Sequence, residues 1–375
     1  LPINDRLKSN RDIKERIRRI ATFPLSGNLY ETAGKSPLSP FEDEKIKLML
    51  DHFEKAEKAR IVPPAMVRIY LSSACHHNCA GCSFADNQTE NKVFFNASCF
   101  RKLSEDLRLM NIGLVDLTGG GEPTLHPQFE EFVKMGLKLK FRLALLSNGS
   151  WNDSGLIDLL ADGFAFIRVN LDACSEEVYA RVHRSPVGGE FQRIMNNLER
   201  LISEREKRKS GLVVGAKVRL SQINMNFAEG MITLTKDLGL DYIQFQIDPS
   251  GSTALLPEQE RNVHEILSEL KNKYQSLSVY GKMEGKKTGE RCWASKAQLT
   301  IDASGNAYSC PHFLKQPDAT CWGNILNQNT NNTWLSHILK SGFTSAGSWT
   351  CLVENCRWRF YDEVIRQRIK TRLRS

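Results

Sequence analysis

The chain has 375 residues, 41% of them apolar and 25% charged, which is the composition of an ordinary globular protein with length for one large domain or two to three smaller ones. It has no apolar run long enough to span a bilayer. Residues 1–20 are charged throughout and lack a signal-peptide core, so the expected setting is cytoplasmic, with no membrane partner. The net charge is +8. Residues 1–20 hold seven basic and three acidic side chains and residues 357–375 seven and two, so the ends account for the whole excess. That pattern reads first as two solvated amphipathic helices, with contact to an acidic partner or nucleic acid as the alternative.

Residues 1–61 read as an N-terminal helical extension, with helical spacing over 12–22 and 40–59 and a stop at Pro63 and Pro64. They lack the run of strands and helices that a peptide-recognition winged-helix domain needs. From residue 65 to 273, strand and helix signals alternate. The strands fall at 66–71, 114–118, 143–147, 167–171, 217–223 and 242–247. Helices are expected at 100–109, 129–137, 156–160, 191–206, 231–238 and 263–274. Six β-α units imply an α/β fold with a parallel sheet.

Just after the first strand stand Cys75, Cys79 and Cys82, spaced C-x3-C-x2-C. Thiolates this close in one loop can converge on three irons of a [4Fe–4S] cubane and leave the fourth iron open for a small molecule. The alternative for such thiols is a zinc knuckle or redox pair. Zinc usually takes four ligands, and only His76 or His77 stands near enough to be the fourth. The two histidines otherwise read as plain loop residues. After the second strand comes Thr118-Gly-Gly-Gly-Glu122, where glycines allow a ligand close to the backbone and Glu122 can accept from an ammonium group.

These two motifs together resemble the radical S-adenosylmethionine (SAM) superfamily. The resemblance implies an open (β/α)6 partial barrel over residues 62–284. It implies a [4Fe–4S] cluster on Cys75, Cys79 and Cys82, SAM chelated to the open iron, and Gly120, Gly121 and Glu122 around the SAM amino group. An electron donor such as flavodoxin or ferredoxin is implied as a partner. In such barrels catalytic groups sit at the C-terminal ends of the strands. Ser147 closes the third strand. Asn170 closes the fourth, at the place where the family contacts the SAM ribose, with Asp172 beside it. The family's aromatic residue before the third cysteine is Gly81 here, and Phe84 is the nearby aromatic. Asp172, Arg219 and Asp248 are geometric candidates for a base. Cys174 reads either as a hydrogen-atom donor or as a small residue filling a turn.

Past residue 285 the βα rhythm ends and Cys292, Cys310, Cys321, Cys351 and Cys356 appear. Residues 298–309 read as a β-hairpin with Gly305 in its turn. The C-x17-C spacing of Cys292 and Cys310, with Gly305 five before Cys310, resembles the SPASM/twitch branch of the superfamily. The resemblance implies a C-terminal unit over 285–358 holding a second, auxiliary [4Fe–4S] cluster. Cys351 and Cys356 complete its ligands and Cys321 is a spare; a structural zinc site is the alternative. Residues 359–375 read as a basic C-terminal helix. The function so implied is reductive cleavage of SAM to a 5'-deoxyadenosyl radical that takes a hydrogen atom from the substrate. The main expectation is oxidation or epimerisation of a polar small molecule of sugar, aminocyclitol or nucleoside type. The second is maturation or epimerisation of a ribosomally made peptide. From another class, an iron–sulfur or zinc protein that only binds nucleic acid would explain the basic ends but not the Gly-Gly-Glu motif.

Overall fold

The computed structural model describes residues 40–58, 63–82, 84, 92–185, 188–247, 253–274, 278–280, 292–311, 321–325 and 362. The helices expected at 12–22 and 359–375 lie outside these residues, apart from Asp362. So do Asp248, Cys351 and Cys356.

Helix α1 (Pro40–Lys58) precedes the sheet, then β1 (Met66–Tyr70), α2 (Ala97–Leu109), β2 (Leu114–Thr118), α3 (Phe129–Lys138), β3 (Leu143–Ser147), α4 (Ser154–Gly163) and β4 (Phe166–Asn170) follow. The second half runs α5 (Glu176–His183), α6 (Glu190–Lys207), β5 (Val213–Leu220), α7 (Ala228–Asp237), β6 (Tyr242–Ile247), α8 (Pro257–Lys273) and β7 (Ser278–Tyr280). The chain then forms the short α9 (Trp293–Lys296), β8 (Gln298–Ile301), β9 (Asn306–Tyr308) and β10 (Cys321–Asn324). Helix starts follow side-chain caps: Asn96 accepts from Ser98 N–H at 2.9 Å and Asp153 from Gly155 N–H at 2.8 Å.

The described strands form one sheet in the order β10-β9-β8-β1-β2-β3-β4-β5-β6-β7. Strands β1 to β7 are parallel, β8 joins β1 in parallel, and the hairpin partners β9 and β10 run antiparallel. The α/β partial barrel expected from the resemblance is what the chain builds. The hairpin at its edge is the expected one, with Gly305 in the left-handed turn at φ +86°.

Alternation along each strand sends one apolar set outward and a mixed set inward. Outward residues such as Val67, Val115, Ile167 and Phe245 pack beneath the helices in one continuous core. Burying rings such as Phe100 and Phe132 there contributes about 1.5–3 kcal/mol each. On the inner face, Met66, Leu114, Phe166 and Tyr242 at the N-terminal ends of the strands meet Ile46, Met49 and Phe53 of α1. One rung higher the inner face is charged. Arg68 donates to Asp116 at 2.6 Å, and Lys45 of α1 stands 3.5 Å from the same carboxylate. Burial works against the Asp116 charge, but Arg68 and Lys45 outweigh it and hold the carboxyl below its usual range. Helix α1, read from sequence as part of an appended extension, thus closes the N-terminal mouth of the barrel.

Two of the differences from the sequence reading bear on the site. Strand β5 begins at Val213, four residues before the expected start, and ends at Leu220. Gly215 hides that start: a Cβ there would lie 2.1 Å from Cζ of Tyr242, so the ring occupies the space a side chain would take. Helix α5 was absent from the reading. It is eight residues long, capped by Ser175, and buries Val178, Tyr179, Val182 and His183.

Candidate active site at the strand C-termini

The three-cysteine loop leaves β1 at its C-terminal end and is fixed first by its neighbours. Leu71 N–H donates to Thr118 O, Ser73 N–H to Val93 O and Phe95 N–H to Leu71 O, each at 2.9 Å. Farther along, Asn78 N–H donates to His183 O at 3.1 Å and Ala80 N–H to Val182 O at 2.9 Å. The C-terminal end of α5 therefore holds the middle of the loop.

All three thiols are half-buried. Backbone N–H groups point at two of them, His77 at Cys75 Sγ (3.5 Å) and Phe84 at Cys82 Sγ (3.4 Å). The thiols also feel one another. Burial lifts Cys75 to about 11 and Cys79 to about 12, and the neighbouring cysteines add to both rises. Three mutually repelling thiolates with inward amide donors suit a cluster whose iron charge compensates them, so the residues present fit a [4Fe–4S] group.

The glycine motif lies directly against this loop. Gly121 N–H donates to Ser72 O at 2.9 Å and Glu122 N–H to Ala74 O at 2.7 Å. A Cβ on Gly121 would sit 2.0 Å from Ala74 O, so only glycine allows this approach. The Glu122 carboxylate is buried and well supplied. Its Oε1 accepts from Thr124 N–H (3.1 Å), Thr124 Oγ1 (2.7 Å) and Ser147 Oγ (2.9 Å), and its Oε2 from Asn148 N–H (2.8 Å). Acceptor capacity for an ammonium group is concentrated on Oε2.

The other expected residues fall into three groups. Ser147 stands behind Glu122, with its hydroxyl also accepting from Gly149 N–H at 3.1 Å and Trp151 Nε1 at 2.9 Å. Asn170 and Phe84 are half-buried at the same end of the sheet. The Phe84 ring lies 3.4 Å from the place a Cβ on Gly120 would occupy and meets Tyr70 edge-on at 5.6 Å. Asp172 and Arg219 form one brace. Asp172 is fully buried, accepts from the Arg219 backbone N–H, and burial pushes its carboxyl up against the pull of Arg219. Arg219 Nη1 donates to Gly81 O in the cysteine loop. Cys174 packs against the core, with its sulfur 2.9 Å from the place a Cβ on Gly230 of α7 would occupy.

His77 corrects the reading of a plain loop residue. It is buried, with Nδ1 accepting from Asn148 Nδ2 and Nε2 bonded to Glu190 Oε1, both at 3.2 Å. Burial lowers His77 to about 4. Burial opposes the Glu190 charge, but bonds from Arg193, Ser150 and His77 hold it at about 2. His183 joins the same wall, with Nε2 donating to Leu171 O and Nδ1 against Cys79 Sγ, each at 3.2 Å. The side chains of His77, Cys79 and His183 bring their ligand atoms within 4.8 Å of one another. Only a histidine inside the cysteine loop hinted at this wall; Glu190 and His183 come from distant elements and gave no local signal.

Of the second cysteine set, Cys292 caps α9 and Cys310 follows β9, and both join the apolar cluster at the N-terminal mouth. Cys321 opens β10 and is exposed.

Comparison with known proteins agrees with this geometry. The Radical SAM superfamily model matches residues 69–225. The mycofactocin maturase MftC of Mycobacterium tuberculosis is 22% identical over 313 residues, covering 78% of this chain and 74% of the relative. Among solved structures, SuiB of Streptococcus suis bound to its precursor peptide SuiA superposes with a TM-score of 0.61 at 14% identity, covering 88% of this chain and 77% of that one. The protein anSMEcpe, with bound AdoMet and the Cp18Cys peptide, superposes at 0.54 and 15% identity, over 83% of this chain and 98% of that one. No helix among the described residues is long and apolar enough to cross a membrane. The cysteine loop and the glycine motif both lie inside the matched region, so residues 69–225 form a radical SAM domain.

Proposed function

We propose that this radical SAM enzyme modifies a ribosomally made peptide. The observation that carries the reading is the breadth of its likeness to peptide-handling relatives. A maturase matches 78% of the chain, and the two solved relatives named above, which cover more than four-fifths of it, were captured with peptides. This favours the reading placed second from sequence over a sugar, aminocyclitol or nucleoside.

In this reading Cys75, Cys79 and Cys82 hold the first cluster. When bound, the cluster and SAM supply the one-electron cleavage that yields a 5'-deoxyadenosyl radical. The chain's own work is placement. Glu122 Oε2 and the Gly120–Gly121 backbone receive the SAM amino group. Asn170 meets the ribose, and Phe84 lies against the glycine motif where it can bound the adenine. Cys292, Cys310, Cys351 and Cys356 hold an auxiliary cluster, with Cys321 nearby, and a flavodoxin or ferredoxin serves as electron donor. Oxidation and epimerisation both remain within this chemistry.

The test is 5'-deoxyadenosine release by anaerobically reconstituted protein offered two panels, one of synthetic peptides and one of sugars, aminocyclitols and nucleotides. Stimulation above background by peptides supports the reading. Stimulation by polyols or nucleotides alone returns the enzyme to small-molecule chemistry.

A further inference from the structure

The middle of the cysteine loop is gripped by groups that bind neither SAM nor iron in the reading above. Asn78 and Ala80 give their N–H groups to the end of α5, and Gly81 O accepts from Arg219 Nη1. Arg219 is itself held in place. Its backbone N–H donates to Asp172 Oδ1, and its Nε lies 3.9 Å from Asp172 Oδ2. Asn224 Nδ2 bridges Asp172 O at 2.8 Å and Arg219 O at 2.9 Å. Asp172 takes φ +53°, a left-handed backbone that a non-glycine residue adopts only when its surroundings fix it. The ends of β4 and β5 are thus tied into one unit that presents a guanidinium to the loop between Cys79 and Cys82.

We propose that Arg219 is a positioning residue that makes the first cluster easier to reduce. It holds the Gly81 carbonyl, and so the Cys79–Cys82 turn, and keeps a fixed positive charge beside the Cys79 thiolate. Reduction adds an electron to an assembly already carrying three thiolates. A nearby cation therefore stabilises the reduced form more than the oxidised one, and charge near the cluster is one of the levers on its potential. Asp172 orients the cation and supplies part of its counter-charge.

The inference rests on the radical SAM reading, and one experiment separates the two. The full-length protein is reconstituted with iron and sulfide and titrated with dithionite at pH 8, following by EPR the reduced-cluster signal that changes when SAM is added. Arg219→Gln should lower the reduced-to-oxidised ratio at a fixed potential about tenfold, a shift of about 59 mV to more negative values for one electron. Arg219→Lys, which keeps the charge but not the fork, should shift less. Asp172→Asn should move the potential the opposite way, because it removes counter-charge. If Arg219→Gln fails to hold iron, the Lys and Asn variants still decide. Shifts of opposite sign for Arg219 and Asp172 support the proposal, as does the Asn shift with Lys near wild type. Iron loss or lower stability with unchanged potentials in every variant that retains its cluster would show a merely structural brace and overturn it. A wild-type protein with no SAM-responsive signal would overturn the radical SAM reading itself, and this proposal with it.

Discussion

Cys75, Cys79 and Cys82 share one loop, and backbone N–H groups already aim at two of their sulfurs. Cys292 and Cys310 are separated by seventeen residues and share an apolar cluster only because β8 pairs with β1 on one side and β9 on the other. The first set sits at the C-terminal ends of the strands, the second at the mouth closed by α1. A local loop can be preorganised by its own backbone, whereas the hairpin pair depends on the sheet. Losing a ligand should therefore have unequal consequences. Cys75→Ala should bring 5'-deoxyadenosine formation down to background, since one of three thiolates is gone. Cys292→Ala with Cys310→Ala should leave SAM cleavage in place while lowering the iron content by about one cluster. Iron and activity assays on the two variants, side by side, check this. Equal loss of activity and all iron in both would mean the two regions are one cooperative site.

The second-largest effect is expected where the glycine motif meets the loop. Gly121→Ala places a methyl 2.0 Å from Ala74 O and 2.4 Å from Ala74 C, both backbone atoms that cannot rotate away. The Gly121–Ser72 and Glu122–Ala74 bonds must stretch or break, costing about 1–3 kcal/mol. SAM affinity should fall at least tenfold and Tm by several degrees, measured by calorimetric titration and thermal unfolding. The matching change on the hairpin side, Gly323→Ala, has nothing within 4 Å of its Cβ but lies at φ +119°. Its cost is backbone strain alone, and SAM binding should not change.

The histidine wall gives the loop a pH dependence on the acid side of neutrality. His77 and His183 are held by burial at about 4 and about 3, below the ordinary value of 6.5. In the unfolded chain both take up protons near 6.5, while the folded, metal-free chain does not. The unfolded state therefore binds more protons in this window, and stability falls as pH drops from 6.5 toward 4. Above pH 6.5 the contribution is flat. Tm of the apo protein should decline across that window, and His77→Asn should flatten the decline. An unchanged slope would place the titration elsewhere.

How much of this was legible from sequence follows the same division. The cysteine spacing, the Gly-Gly-Glu motif and most strands carry their signals in neighbouring residues, so β2, β3 and β6 fall where the pattern put them. The hairpin was legible through Gly305. What escaped depends on distant partners. Gly215 looks like a strand breaker until Tyr242 is seen to fill its place. His77 looks like loop until Glu190, on another helix, comes within 3.2 Å. Helix α5 did leave a local sign, Ser175 followed by Glu176 and Glu177, which is an N-cap with acidic residues in the first turn. Its brevity concealed it, yet it supplies His183 and the two carbonyls that hold the cysteine loop.

The smallest effect belongs to Cys174, which sequence left open between a hydrogen-atom donor and a packing residue. Its sulfur lies against Gly230, and it borders the main core without joining the wall around Cys79. Cys174→Ala removes one half-buried sulfur and should cost about 1 kcal/mol, with 5'-deoxyadenosine yield and product unchanged. Arg219 differs because its guanidinium reaches the Gly81 carbonyl in the cysteine loop, so substitution there should alter the cluster. Cys174 instead lies against Gly230 and the edge of the main core. Product analysis settles the matter: a variant that still forms 5'-deoxyadenosine but returns a different product stereochemistry would restore the donor role. Unaltered product with a slightly lower Tm would leave Cys174 as filling for the turn between β4 and α5.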